Sequence, residues 1–464
     1  MKSLLVSISF LLIACMPEFI ARRIKPSSPH RSDGRSHPVE QTSTSLTLNR
    51  VSEFLEGQAS DICAIRANSG QKAVIWLHKS AGLTDSKMEL VHWQGEKDLA
   101  SSLSYGVEDV MLGLSPLLKG SVYQFAGLEA GGVEVSPYMR MLNLQNSDMG
   151  EHVDLDFERT DEKTFNQEGI LLSPGLEDLK KTMVRSWQRE CPALLAVQMT
   201  ASSELYVFMY SNAAVRLLKF KPDGALLQKR VIVPAVLNYD ETDKELLLSQ
   251  KESVLGLSFS LHEKQYAAFE AFHQISIPRD LRGRRDLIVL ARLRSEGSSL
   301  EFRFLTSRSI DAMDWLDGER LLVSSHQYNK DEGRNKPELH LVDFRKPELL
   351  SSLIAISKDS AVMTDLAVLS GDRVLLAGTI DFVQASSWSI VKAGKAFVGV
   401  YDLTRQSFTS KQIWGGARDF RVTALAQVSS GEFLLGAREN SWITHDLAEN
   451  RSSNSALYRV LVSP

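Results

Sequence analysis

Residues Thr364–Thr379 read TDLAVLSGDRVLLAGT: an apolar run, a turn closing on Gly371, a charged residue and a second apolar run. The pattern returns at Met313–Ser325 (MDWLDGERLLVSS) and at Val422–Arg438 (VTALAQVSSGEFLLGAR). Two apolar runs joined by a tight turn are the signature of a hairpin. A glycine in the turn supplies the positive φ that lets antiparallel strands meet without splaying. Gly318, Gly371 and Gly431 are each expected to do this, and they stand 53 and 60 residues apart.

Reading outward, each repeat is followed by a returning strand, at Glu338–Phe344, Phe397–Leu403 and Leu457–Val462. Short strands also fill the chain upstream. Ala193–Thr200, Glu204–Tyr210, Val215–Phe220 and Ala225–Val233 make four in succession, the last pair joined by the turn Pro222-Asp223-Gly224. Aligning Gly70, Gly120, Ser203, Lys244, Gly318, Gly371 and Gly431 as turn positions gives seven units. Repeats of roughly 40–50 residues built from short strands mark the blades of a β-propeller. The chain thus resembles propeller proteins in general, and the expected fold is an all-β propeller of about seven blades. It lacks the regular Trp-Asp endings of WD40 blades and the glycine/tryptophan signature of quinoprotein repeats. Leu46–Val51 and Leu457–Val462 are positioned to pair and so remove an exposed sheet edge.

Three stretches depart from this rhythm. Ser173–Arg189 opens with Ser-Pro and carries Leu176, Leu179, Met183 and Trp187 at helical spacing, which predicts one inserted amphipathic helix. His262–Ile277 reads equally as helix or strand, and Arg282–Arg285 is a polar turn with three arginines. Val153–Glu158 alternates acidic and apolar residues, as a half-buried strand does.

At the N-terminus, Lys2, an apolar core Leu4–Ile13 and Ala14-Cys15 form a secretory signal. Leu12-Ile13-Ala14-Cys15 resembles the lipobox of bacterial lipoproteins. That resemblance implies cleavage after residue 14, a lipid on Cys15 and a membrane attachment through it. Met16 rather than Asp follows the cysteine, which within that family points to the outer membrane. Residues 15–45, with Pro17, Pro26, Pro29 and Pro38 and few apolar side chains from Pro26 to Ser45, read as a lipidated N-terminus and flexible tether, and 46–464 as the propeller-like domain. Losing residues 1–14 removes one basic residue and takes the net charge from −4 to −5, which argues against a nucleic-acid partner. Cys63 and Cys191 remain, as bridge partners or as two buried thiols.

The sequence holds no catalytic, cofactor or metal signature. Gly256-Leu257-Ser258-Phe259-Ser260 lacks the second glycine of a nucleophile elbow. His262-Glu263 begins like a zinc-protease motif, but Tyr266 stands where the second histidine would be. The acidic run Asp154, Asp156, Glu158, Asp161 and Glu162 reads as a solvated face rather than a calcium loop. The candidate ligand-binding residues are Tyr328, Trp388 and Trp442, which follow the repeat glycines by 10, 17 and 11 residues. They are expected in loops on one face, as aromatic anchors for a protein or glycan partner. The expected function is a non-catalytic binding or scaffold module of the cell envelope. The alternative is a glycan- or peptide-acting hydrolase or lyase with its site at the channel.

Overall fold

In the computed structural model, residues 45–199 are described only within their strands. From residue 204 to 463 most of the chain is described, chiefly without the connecting segments 237–245, 330–333, 347–351, 356–360, 381–390 and 444–453. The predicted helix Ser173–Arg189 falls almost wholly outside these residues; Ser173 itself closes a short strand, Leu171–Ser173.

The described residues form seven antiparallel sheets of four or more strands, the first six running through the sequence as meanders. The first contains Ser60–Asn68, Lys72–Lys79, Ser86–Gln94 and Asp98–Val107. The second has Val110–Leu114, Val122–Gly131 and Glu134–Asn143, with the short Val153–Asp154 outermost. The third comprises Leu195–Met199, Leu205–Ser211, Ala214–Phe220 and Leu226–Val233. Leu247–Lys251, Val254–His262, Asp286–Arg294 and Leu300–Leu305 make the fourth. The fifth is Ala312–Trp315, Arg320–Asn329, Arg334–Asp343 and Ser352–Ala355. The sixth is Ala361–Val368, Arg373–Ile380, Lys395–Asp402 and Ser407–Trp414. The seventh takes Phe420–Ser429, Glu432–Glu439 and Asn454–Ser463, and its fourth strand is Ser45–Phe54 from the start of the domain. The expected pairing of the two ends is therefore present, with Leu46 opposite Val462 and Leu48 opposite Val460.

The lead strands of the sheets are neighbours in a row from the second sheet through the seventh, and the seventh also meets the first. This is a propeller-like arrangement, and it explains the apolar runs. A strand stacked between two sheets buries both faces, so it reads as continuously hydrophobic instead of alternating. All nine residues of Val254–His262 are buried. In Arg320–Asn329, Leu321 and Val323 pack toward the fourth sheet, while Leu322 packs toward the sixth.

The repeat turns are less uniform than expected. Gly431 does have positive φ, at 82°, and an added Cβ would lie 2.6 Å from the carbonyl oxygen of Val462. Gly318 does not need it. Its turn is fixed by Asp317, whose Oδ1 accepts the N–H groups of Glu319 at 2.8 Å and Arg320 at 2.7 Å. Gly371 lies outside the described residues. The fourth sheet turns at Glu252, with φ 52°, and not at Lys244, because its lead strand is Leu247–Lys251. Of Val153–Glu158, only Val153–Asp154 is described as strand.

The ambiguous stretch resolves into a 3-10 turn, Glu263–Gln265, and an α-helix, Tyr266–His273. His262 caps it: Lys264 N–H donates to Nδ1 at 3.2 Å, and Gln265 Oε1 accepts the His262 N–H at 3.1 Å. The Tyr266 hydroxyl donates to the Arg284 carbonyl at 2.9 Å, and its burial, with Asp286 and Glu263 nearby, pushes its pKa up to about 12. The helix lies between the second and third strands of the fourth sheet. It reaches the third sheet through His273, whose Nε2 bonds to the Ile232 carbonyl at 2.7 Å.

Candidate functional site

The lead strands line a channel-like cavity of about 550 Å³, bordered by residues of the first sheet and of the third to the seventh. Small and apolar residues alternate with polar ones in its lining, which includes three acidic residues, Asp311, Asp314 and Asp365. Two of them clasp neighbouring sheets. Asp314 accepts the Trp315 N–H at 2.8 Å through Oδ1 and the Val368 N–H of the sixth sheet at 2.9 Å through Oδ2. Asp365 repeats the arrangement one sheet later, accepting Leu366 N–H and Leu425 N–H, both at 2.9 Å. A carboxylate that satisfies backbone donors across a sheet boundary is a joint, not a catalyst in waiting. Burial pushes the Asp314 carboxyl up, against the pull of these hydrogen bonds and of Lys251. Lys251 itself bonds through Nζ to the carbonyls of Trp315 at 3.1 Å and Leu316 at 2.8 Å, so it too ties the fourth sheet to the fifth.

Asp311 differs. Its Oδ1 meets His326 Nδ1 at 2.7 Å, while Oδ2 is buried without a hydrogen-bond partner. The Asp311 side chain is 7% exposed and that of His326 20%. Burial raises the Asp311 carboxyl, and the His326 contact opposes that shift. Because the Asp311 N–H pairs with the Ser324 carbonyl at 2.9 Å, the dyad sits where the lead strand begins, opposite the middle of the second strand Arg320–Asn329. That is the end of the channel opposite the Gly318 turn.

The same end carries the long connections between second and third strands. In the fourth sheet this connection holds the helix, with Phe272 44% exposed. In the sixth and seventh sheets the two connections pair with each other, Val391 opposite Ile443 and Lys392 opposite Trp442. The connections at the other end include the compact turns of residues 252–253, 316–319 and 430–431. The start of Ser45–Phe54 is also at that other end, since Ser45 lies opposite Ser463 and Glu432 lies opposite Leu461.

Two of the expected aromatic anchors are described, and both are in strands, not loops. Tyr328 is in the strand Arg320–Asn329, opposite Asn335, and Trp442 is in the two-residue strand Trp442–Ile443. Trp388 lies outside the described residues, three positions before Val391. Cys63 occupies a bulge in Ser60–Asn68, where the register shifts between Ile62 and Ala64. Cys15 and Cys191 are outside the described residues.

A buried trio on neighbouring strands has the composition of a nucleophilic triad without its geometry. His340 Nε2 is 3.1 Å from Ser325 Oγ and 3.4 Å from Glu338 Oε2, so both partners meet one ring nitrogen. Ser325 and His340 are fully buried, which leaves the hydroxyl no route to a substrate. Gly256, in the failed nucleophile elbow, has a packing role: an added Cβ would stand 3.1 Å from the Trp315 indole. Among the described residues no three His, Cys, Asp or Glu side chains gather as metal ligands. The sequence signal for the Asp311–His326 dyad was absent, because its members are 15 residues apart, one just before the lead strand and the other within the second. The Asp314 and Asp365 clasps were visible only as an acidic residue inside an otherwise apolar run.

No protein family matches the chain, and no characterised protein matches it by sequence. Among solved structures it is similar to U3-55K, at 8% identity over 91% of this chain and 99% of that one, with a TM-score of 0.47. It is also similar to the β-propeller domain of the Trilobed protease from Pyrococcus furiosus, at 8% identity over 86% and 93%, with a TM-score of 0.44. A third likeness is to TolB from Acinetobacter baumannii, at 8% identity over 75% and 65%, with a TM-score of 0.37.

Proposed function

We propose that this chain is a lipid-anchored cell-envelope protein whose seven sheets close into a seven-bladed ring. In this reading it is a non-catalytic binding module for a protein or an envelope polymer. The observation that carries the reading is the pairing of Val391–Lys392 with Trp442–Ile443. Two connections from adjacent sheets are zipped together, at the end where the other long connections also lie. Paired backbone gives a rigid platform, and ordering a platform in advance lowers the cost of binding.

The alternative, a glycan- or peptide-acting hydrolase or lyase, draws on the Asp311–His326 dyad alone. The other two channel carboxylates already accept two backbone N–H groups each.

The test is affinity capture from detergent-solubilised envelopes with the mature domain lacking its lipid, beside a Trp388→Ala/Trp442→Ala version. A protein or glycan held by the first and lost by the second supports the module and locates its face. Equal capture by both discards the aromatic anchors. If nothing is captured and the wild-type domain turns over envelope glycans or peptides, the enzyme reading replaces this one.

A further inference from the structure

We propose that the helix Tyr266–His273 and the arginine turn that follows it form a docking surface for an anionic lipid bilayer. The surface belongs to the fourth sheet and includes none of the paired connections of the sixth and seventh.

Phe272 is its centre. The other exposed large apolar side chains among the described residues, Leu227 and Ile413, lie on the outermost strands of the third and sixth sheets, Leu226–Val233 and Ser407–Trp414. Phe272 is instead on a helix that buries Tyr266 and Phe269 and leaves Ala267, Ala271 and Phe272 exposed. One exposed apolar residue means little alone. Its surroundings give it meaning. Arg279–Arg285 reads RDLRGRR, four arginines against one aspartate, in a chain of net charge −4. This turn is folded back along the helix and held at three points. Glu263 N–H donates to the Arg285 carbonyl at 2.8 Å, and the Tyr266 hydroxyl to the Arg284 carbonyl at 2.9 Å. Glu270 Oε1 accepts from Ile277 N–H at 2.6 Å and from Arg282 Nη2 at 2.5 Å.

Position around the helix decides what the surface offers. At about 100° per residue, Ala267 and Ala271 fall between Glu270, which holds the turn, and Phe272. An apolar strip ending in Phe272 therefore has arginines along its border. The exposed charged residues of 263–286 are Lys264, Arg279, Arg282 and Arg285 against Glu263 and Asp280. Arg279 and Arg285 have no ion-pair partner among the described residues. A guanidinium pairs bidentately with phosphate, so these two suit lipid headgroups. A convex helix face offers no groove in which to grip a peptide. A bilayer needs none: an aromatic ring enters the boundary of the headgroups while the arginines stay among the phosphates. Such a contact is weak by itself. On a lipid-bearing chain it would be a second attachment that fixes how the domain faces the membrane; that consequence rests on the proposed lipid, and the docking surface does not.

Cosedimentation with vesicles tests the proposal, using the full mature chain, residues 15–464, with Cys15→Ser so that no lipid is attached. The vesicles are phosphatidylcholine alone, or phosphatidylcholine and phosphatidylglycerol in a three-to-one mixture. The anionic vesicles should bind the chain and the neutral ones should not, and raising salt from about 0.1 to about 0.5 M should weaken binding. Arg279→Glu/Arg285→Glu should lower the partition coefficient about thirtyfold or more, while Arg279→Lys/Arg285→Lys should largely keep it. Phe272→Ser should lower it about threefold or more without changing the salt dependence. Lys221→Glu/Arg405→Glu makes the same change of net charge at exposed positions elsewhere, and should leave it within about twofold. No binding to anionic vesicles, equal binding to neutral ones, or unchanged partition in either the glutamate or the serine variant would overturn the proposal. So would an equal loss in the control, or tighter binding of poly-glutamate than of vesicles.

Discussion

Asp365 holds Leu425 across a sheet boundary: its Oδ2 accepts the Leu425 N–H at 2.9 Å while Oδ1 accepts the N–H of Leu366. Asp314 makes the same bridge to Val368 one sheet earlier. The lead strands are thus joined by side chains where no β-ladder runs between them. Asp365→Ala leaves a part-buried backbone N–H without its charged acceptor, and should lower unfolding free energy by about 2–3 kcal/mol. Asp365→Asn keeps one acceptor oxygen and should cost about half as much. Urea unfolding followed by tryptophan fluorescence reads both.

The repeat glycines, alike in sequence, should separate on substitution. Gly431→Ala meets a positive φ and the Val462 carbonyl, and is expected to cost about 2 kcal/mol or more. Gly318→Ala places its Cβ 3.5 Å from a Val254 methyl, an ordinary contact, and should stay within about 0.5 kcal/mol of wild type. Thermal melts of the two variants suffice, and equal losses would contradict the assignment.

Gly256 and Trp315 should behave as one unit. The indole is fully buried between the fourth and fifth sheets, so Trp315→Ala is expected to cost about 3–5 kcal/mol. Gly256→Ala should destabilise the wild type and do so less in a Trp315→Leu background, with a coupling of at least about 0.5 kcal/mol. A double-mutant cycle measures it, and additive losses would show that the close approach is not a constraint.

His273 should make the protein sensitive to mild acid. Burial holds its imidazole below the ordinary value, with Arg230 acting in the same direction and the Ile232 hydrogen bond opposing. A folded-state pKa below the unfolded one means that the unfolded chain binds the extra proton first as pH falls through about 6.5. The neutral ring's contribution, present above that pH, is then lost. His273→Phe should be less stable than wild type at pH near 7.5 and should lose less on acidification to about pH 5.5. Asp311 titrates in the opposite sense in both proteins and cancels from the comparison.

The architecture was legible because two-sided burial writes itself as apolar runs, and because turns interrupt those runs at a near-regular spacing. The pairing of Leu46 with Val462 followed from the need to cover an edge. The misplacement of a turn at Lys244 has a simple cause: Glu252 adopts positive φ without being glycine, so the expected residue type was missing. The helix Tyr266–His273 was obscured because Phe269 and Tyr266 are buried while Phe272 is not, which blurs an eight-residue stripe. The channel was hidden for a deeper reason. Its lining takes one short segment from each of six sheets, and no local pattern records which segments converge.

The seventh sheet also sets a schedule for biosynthesis. Ser45–Phe54 is made early, and its partner Asn454–Ser463 is made much later. About 400 residues separate them, a wait of about 20–80 s at ordinary elongation rates. Throughout that interval the early strand has an unpaired edge, and so does whatever portion of the domain has already folded. Completion of this sheet is therefore a late event that waits for Asn454–Ser463 to be made. A chain that stops before Asn454 does not merely lose a strand: both of that strand's neighbours, Ser45–Phe54 and Glu432–Glu439, are left with unpaired edges for proteases to find.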